Sequence, residues 1–168
     1  KAPGRVVKQT SFRDPRVKVA VAVNPVTNPI FSSRSMTRVQ VPMLVIAGMK
    51  DVFAPPVSQQ LTPFTSLLQP GSVLAVQQSG THLSFLDATS NLPEMITGPD
   101  QSLARQELQG MARLFFDRHL LDRTATPSLA PAGDGAFQAG SSPLPVLFRS
   151  SLTMQQLEQV EPGLKEVP

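Results

Sequence analysis

Hydrophobic and polar residues alternate along this chain in two rhythms, one typical of buried strands and one typical of helices. Three short apolar runs, rich in β-branched residues and bounded by turn-forming residues, predict strands over residues 17–23, 41–47 and 72–77. Pro42 must lie at the start of the second strand, because proline has no N–H to donate to a central ladder. Near-continuous hydrophobicity in these runs favours a parallel sheet that is buried on both faces.

Two longer segments repeat their apolar residues every three to four positions, as amphipathic helices do. The first predicted helix spans about residues 55–68, and Pro63 inside it should kink it. The second spans residues 98–121, and Thr97 and Asp100 have the spacing of a capping box. The buried stripes expected for these helices are Val57, Leu61, Phe64, Leu67 and Leu68 in the first, and Ala104, Leu108, Met111, Ala112, Phe115, Phe116 and Leu120 in the second.

The order of these elements predicts an α/β fold with a parallel sheet of three strands and right-handed crossover helices. Residues 1–10 form a basic leader, and residues 11–123 carry the strands and the two helices. The stretch 124–145 is rich in Ala, Pro, Gly, Ser and Thr, which predicts a flexible linker. A tail over residues 146–168 follows, in which a short helix begins at Thr153. Because three strands make a thin parallel sheet, we expect the chain to be the second half of a larger α/β unit.

The composition of the 168 residues excludes several kinds of site. There is no Cys, so we expect no disulfide, no cysteine-based zinc site, no iron–sulfur cluster and no thiol nucleophile. Two His residues are too few for a multi-histidine metal site, and we expect neither a metal nor a cofactor. No apolar run approaches the roughly 20 residues that a membrane-spanning helix needs.

The net charge of +3 is concentrated at the start of the chain, where residues 1–18 hold six basic side chains and one acid. Phe12 is the single aromatic residue there and no nucleic-acid-binding motif accompanies it, so we expect no nucleic-acid partner. Residue 1 is Lys, and we expect the chain to be a processed or partial product. A signal peptide would already be gone, which leaves the compartment open, export to the periplasm included.

Ionisable side chains follow the second and third predicted strands. Asp51 comes three residues after Gly48, and His82 follows Gly80 and Thr81. Because ligands bind beyond the carboxyl ends of parallel strands, both side chains should lie at the functional edge of the sheet. An acid can hold the tautomer of a histidine, which can then deprotonate a hydroxyl. The sequence therefore predicts Asp51 and His82 as a catalytic pair.

A set of short motifs carries a resemblance to a known family: Arg13–Lys18, Ala22–Pro25, Pro42–Gly48, Asp51, Ala54-Pro55, Pro63–Thr65 and Gly80–Phe85. In these motifs, roughly residues 11–122 resemble the C-terminal half of α/β-hydrolases of the dienelactone-hydrolase and platelet-activating-factor-acetylhydrolase-like group, most closely cyanobacterial predicted esterases. The order of acid before histidine is that of the α/β-hydrolases. The resemblance implies a serine carboxylesterase or lipase-like enzyme with Asp51 as triad acid and His82 as triad base, acting on a small-molecule or lipid ester.

The nucleophile that such a triad requires is not in this sequence. The family carries its serine in Gly-x-Ser-x-Gly, and no such motif occurs here. We expect it upstream, on an N-terminal half of the hydrolase domain in the same gene product or an associated chain. Alone, this chain should be inactive.

Simpler interpretations remain open for every residue singled out. Asp51 could cap the helix that follows it, and His82 could be satisfied by the backbone. His119 near a helix end suits the helix dipole. Structural roles are also favoured for three other sets of residues. They are the possible nucleophiles Ser32, Ser33 and Ser35, the possible second acid Asp87, and the possible acyl-pocket residues Phe53, Phe64 and Phe85.

A different class of function also fits the sequence. Sparse charge, the long linker and the terminal helix would suit a non-catalytic assembly or binding subunit built on a remnant of the hydrolase fold, working in a protein complex. A nucleotide-binding half-domain is a weaker alternative, because neither a Gly-x-Gly-x-x-Gly motif nor a P-loop occurs.

Overall fold

The computed structural model of the chain describes residues 13–87, 91–121, 129 and 146–160. The predicted leader over residues 1–10 lies outside this range. So does the predicted linker over 124–145, except for Leu129, which is buried in the core.

Within the described part of the chain, the sheet has four strands that lie side by side in chain order: β1 (Ala20–Val23), β2 (Met43–Gly48), β3 (Val73–Gln77) and β4 (Val146–Arg149). The first three are parallel, which confirms the predicted α/β arrangement of these strands. β4 runs antiparallel to β3, so the sheet is mixed and one strand larger than predicted. The predicted tail thus contributes to the sheet through a segment of four residues, too short for a period of two to identify it.

β1 is shorter than the apolar run that predicts it, because its partner limits the ladder. Ala20 lies opposite Met43, and its N–H donates to the carbonyl of Pro42. Pro42 has no N–H of its own, and the hydrogen-bonded ladder does not extend back to Val17. Pro42 therefore lies just before β2, as predicted.

In the described residues, six helical segments accompany the sheet: α1 (Ser33–Met36), a π-helical turn (Val57–Leu61), α2 (Thr62–Thr65), α3 (Glu94–Thr97), α4 (Gln101–Leu120) and α5 (Met154–Val160). The first predicted helix is therefore a π-turn followed by one α-helical turn, and Pro63 lies in the first turn of α2. None of the described helices is both long and apolar enough to cross a membrane.

The start of α4 corrects the predicted capping box. Asp100 is itself the N-cap, and its side chain accepts a hydrogen bond from the N–H of Leu103. Thr97 instead ends α3, and Gly98 with a φ of 78° separates the two helices. The helix predicted at Thr153 is confirmed, because Thr153 and Gln156 exchange the two hydrogen bonds of a capping box.

Helices pack on both faces of the sheet, and each face has its own apolar cluster. One cluster joins the sheet to α4 through Ala104, Met111 and Phe115. The other joins it to the π-turn, α2 and α5, where Leu157 is buried, so α5 packs on the core of its own chain. Three residues of the predicted stripes, Leu68, Phe116 and Leu120, are exposed instead.

Candidate active site

The loops that follow β2 and β3 lie side by side and bring Asp51 and His82 together. Backbone hydrogen bonds join Met49 to Gln77 and Lys50 to Gly80 across the two loops. Oδ2 of Asp51 lies 2.8 Å from Nδ1 of His82. The two candidate residues thus meet at the carboxyl edge of the sheet, while their catalytic role stays a prediction.

Two glycines permit this close approach of the loops. A Cβ on Gly48 would lie 2.6 Å from the carbonyl oxygen of Gly80, and a Cβ on Gly80 would lie 2.6 Å from Oε1 of Gln77. Both distances are well below ordinary van der Waals contact. The glycines three residues before Asp51 and two residues before His82 therefore have a steric reason to be there.

The carboxylate of Asp51 is completely buried and accepts four hydrogen bonds. Its Oδ1 accepts from the backbone N–H groups of Phe53 and Ala54, at 2.9 and 2.8 Å. Its Oδ2 accepts from His82 and, at 3.2 Å, from Nε2 of Gln60. Asp51 therefore caps its own loop rather than the helical segment that begins at Val57, and it contacts the histidine at the same time.

The ring of His82 contacts a carboxylate rather than the backbone. A carboxylate accepts hydrogen bonds, so this contact fits the tautomer of His82 with a proton on Nδ1 and a free Nε2. The side chain is 31% exposed, whereas that of Asp51 is 0% exposed. The ring of His82 is therefore partly accessible from outside the molecule, whereas the carboxylate of Asp51 is not.

The three phenylalanines considered for an acyl pocket take different positions. Phe64 and Phe85 are buried in the two clusters, as core packing predicts. Phe53 is 59% exposed, and its ring centroid lies 5.7 Å from that of His82. Core packing is therefore wrong for Phe53, which forms part of the surface beside the histidine.

Asn24, at the end of β1, connects all three parallel strands at the site. Its Oδ1 accepts from the N–H of Gly48, and its Nδ2 donates to the carbonyls of Thr81 and His82. Asn24 is buried and has a φ of 44°, a conformation that asparagine tolerates better than most residues. The sequence does not predict this bridging role, and as an amide Asn24 cannot ionise to serve as a triad acid. Its position between the first apolar run and Pro25 was the available signal.

Gln59 and Gln60 in the π-turn also escaped the sequence analysis. Oε1 of Gln59 accepts from the backbone N–H groups of Thr27 and Asn28, and Gln60 donates to Asp51. The available signal was a polar residue on an apolar face, since Gln60 is three positions after Val57 and four before Phe64.

The serines of α1 form a local cap. Ser32 caps α1, and its Oγ lies 3.1 Å from Oγ of Ser35. Ser32 and Ser33 also line a cavity of about 250 Å³ that α1 shares with Ser58 and Thr62. Among the described residues, no hydroxyl forms a hydrogen bond with His82.

Asp87 and His119 take no part in the contact between Asp51 and His82. Asp87 is almost fully exposed and pairs with Arg105. Burial, and then the charge of Arg118, lower the pKa of His119, while a hydrogen bond with the backbone of Gly71 opposes this shift. The charged form that would suit the helix dipole is thereby disfavoured, and the ring of His119 packs against that of Phe115.

No group of three or more His, Cys, Asp or Glu side chains in the described part of the chain is arranged to hold a metal ion. Comparisons with protein-family models, with curated proteins and with solved structures gave no significant match.

Proposed function

We propose that this chain supplies the acid and the base of a serine ester hydrolase, with Asp51 as acid and His82 as base. The nucleophilic serine would lie on a polypeptide segment outside these 168 residues. The observation that carries the proposal is the 2.8 Å contact between Nδ1 of a partly exposed histidine and a fully buried carboxylate. Such a contact at the carboxyl edge of a parallel sheet is typical of the acid and base of a catalytic triad.

In the proposed reaction, Nε2 of His82 takes the proton of the serine hydroxyl as its oxygen attacks the ester carbonyl. Asp51 holds the ring in the correct tautomer and stabilises the imidazolium that forms. His82 then gives the proton to the departing alcohol, which leaves an acyl-serine. Water, deprotonated by the same nitrogen, releases the carboxylic acid and restores the serine.

The edge position of β1 leaves room for a further strand beside it. Among the described strands, β1 pairs with β2 alone, and its four residues are only partly buried. An edge strand of this kind is a template for a further strand. A parallel strand added there would deliver its following loop to the edge that holds Asn24, Asp51 and His82. The N-terminal half of a hydrolase domain would satisfy this requirement.

A serine-directed probe tests the proposal. The native protein, purified with every polypeptide that accompanies it, is treated with a fluorophosphonate, and the intact masses are measured under denaturing conditions. We expect one serine outside this chain to be modified, and the modification to be lost in His82→Gln. A lone 168-residue species that neither reacts nor hydrolyses esters would contradict the proposal and favour the assembly or binding subunit.

A further inference from the structure

Gln60 is a buried amide that contacts the carboxylate of the candidate acid. Its side chain is 1% exposed and lies in the π-turn. Nε2 donates to Oδ2 of Asp51 at 3.2 Å and to the carbonyl of Ala54 at 3.0 Å. Its Oε1 is buried and has no hydrogen-bond partner among the described residues. The donor side of the amide is therefore fully used, and the acceptor side is not.

The orientation of this amide follows from its neighbours. Both groups that face Nε2 are acceptors, so the reversed amide would bring Oε1 against two oxygens and lose both hydrogen bonds. A buried carbonyl without a hydrogen-bond partner lowers the stability of the folded chain, so its presence in a native structure needs a reason. Here the unpaired Oε1 accompanies a contact with one side chain of the acid–base pair.

We propose that Gln60 is a positioning residue that orients the carboxylate of Asp51 toward His82, an inference that rests on the proposed function. Oδ1 of Asp51 is held by the two backbone N–H groups of its own loop. Without Gln60, Oδ2 would be held by His82 alone. With it, both oxygens are fixed independently of the histidine, and the carboxylate plane keeps Oδ2 in front of Nδ1 when His82 takes up and releases a proton.

The π-turn gives Gln60 its position. The N–H of Thr62 bonds to the carbonyl of Val57, five residues earlier, so the side chains of this turn point in other directions than in an α-helix. Pro63 has no N–H and cannot donate an α-helical hydrogen bond to the carbonyl of Gln59. One hydrogen bond that would favour a regular α-helix over the π-turn is therefore missing. Gln59 in turn is anchored to the loop after β1. Inserted π-turns of this kind are frequent at functional sites.

Gln77 offers a matched control for a test of this proposal. It is another 1% exposed glutamine with an unpaired buried Oε1, and its Nε2 also donates to a carboxylate, at 3.0 Å. That carboxylate belongs to Glu107 on α4 rather than to the acid–base pair. Gln60→Met and Gln77→Met therefore remove the same kind of contact, and only the first touches Asp51.

The experiment measures two properties of each variant. The first is the proton NMR resonance of Nδ1–H of His82, assigned in ¹⁵N-histidine-labelled chain by its absence in His82→Gln. The second is hydrolysis of p-nitrophenyl acetate by the native protein with its accompanying polypeptides. We expect Gln60→Met to broaden or shift the resonance and to lower kcat roughly 10- to 100-fold, as loss of an orienting partner does, with KM nearly unchanged. Gln77→Met also loses a buried amide bonded to a carboxylate, but its side chain lies against Gly80 rather than against Asp51. It should therefore change the resonance and kcat much less than Gln60→Met.

Two results would overturn the positioning role: an unchanged resonance and kcat in Gln60→Met, or equal changes in both methionine variants. If Gln60→Met does not fold, Gln60→Glu keeps the shape but sets a carboxylate against Asp51, and an unaltered resonance there also overturns it. If the parent protein hydrolyses no ester, the proposed function fails separately. The NMR comparison alone then decides whether Gln60 orients Asp51.

Discussion

The two histidines of this chain lie near opposite ends of β3. His82 follows the strand at its carboxyl end, with Nδ1 on a buried carboxylate and the ring 31% exposed. His119 is in the last turn of α4 and packs near Gly71, two residues before the strand begins. Its ring centroid lies 4.6 Å from that of Phe115, and burial lowers its pKa.

The difference shows how the fold places one residue type in two different environments. A histidine with a fixed tautomer and partial exposure can take up a proton from a substrate and return it. A histidine that burial keeps neutral acts as a packing surface. Thr81 beside His82 is buried, and the two histidines differ in their position relative to the carboxyl ends of the strands.

The largest effect should come from separating His82 from its carboxylate. Asp51→Asn keeps the shape of the side chain but places an amide opposite Nδ1, which removes the group that stabilises the imidazolium. We expect kcat for p-nitrophenyl acetate to fall about 10⁴-fold, as in comparable triads. The matched control is Asp87→Asn, an almost fully exposed carboxylate, which should retain the activity of the parent. Equal activity of the two variants would remove Asp51 from the mechanism.

Gly48, which contacts the loop that carries His82, and Gly71, which contacts His119, should also respond differently to an added methyl group. In Gly48→Ala the Cβ would meet backbone atoms of Gly80, which cannot move easily, so we expect a loss of about 2–3 kcal/mol in unfolding free energy. In Gly71→Ala the clash is with the side chain of His119, and the φ of 83° adds strain, for a loss of about 1–2 kcal/mol.

Gly110→Ala supplies the control for these glycine variants, because nothing lies within 4 Å of its Cβ position in α4. It should stabilise the chain by about 0.5–1 kcal/mol through the higher helix propensity of alanine. Urea titration measures all three free energies of unfolding. A Gly48→Ala variant as stable as the parent would show that the two loops of the site are not closely packed.

The smallest effect concerns the pH dependence of stability at His119. Since burial lowers its pKa in the folded chain, the unfolded chain binds more protons between that lowered value and the ordinary value of about 6.5. His119 should therefore make stability increase as the pH rises toward about 6.5 and add no further slope above it. Urea midpoints from pH 5 to pH 8 for the parent and His119→Gln measure this. A slope equally steep in His119→Gln would mean that another group causes it.

The sequence predicts the parallel strands and the candidate pair because each strand, and the loop after it, depends on residues that are close together in the sequence. Apolar runs bounded by turn residues reveal strands wherever both faces are buried. Because parallel strands end at a common edge, the residues after β2 and β3 are expected to meet, as Asp51 and His82 do. The glycines before each of them add a local signal for close approach.

Other features depend on contacts that no local pattern reveals. β4 is a short segment more than 60 residues after β3 in the sequence. It becomes a strand only through its hydrogen bonds with β3, which no local pattern predicts. The helix predicted over 55–68 contains a π-turn, in which Gln59 and Gln60 bond to two different loops. Leu68 and Phe116 have the spacing of a buried stripe but are exposed.

The comparison of the two histidines also provides the most direct test of the proposed function. Hydrolysis of p-nitrophenyl acetate is measured for the native protein with its accompanying polypeptides, for His82→Gln and for His119→Gln. Loss of at least about 10⁴-fold in kcat for His82→Gln, with His119→Gln close to the parent, is the result we expect for a triad base. Equal activity of the two variants, whether both retained or both reduced, would contradict the role of His82 as the base.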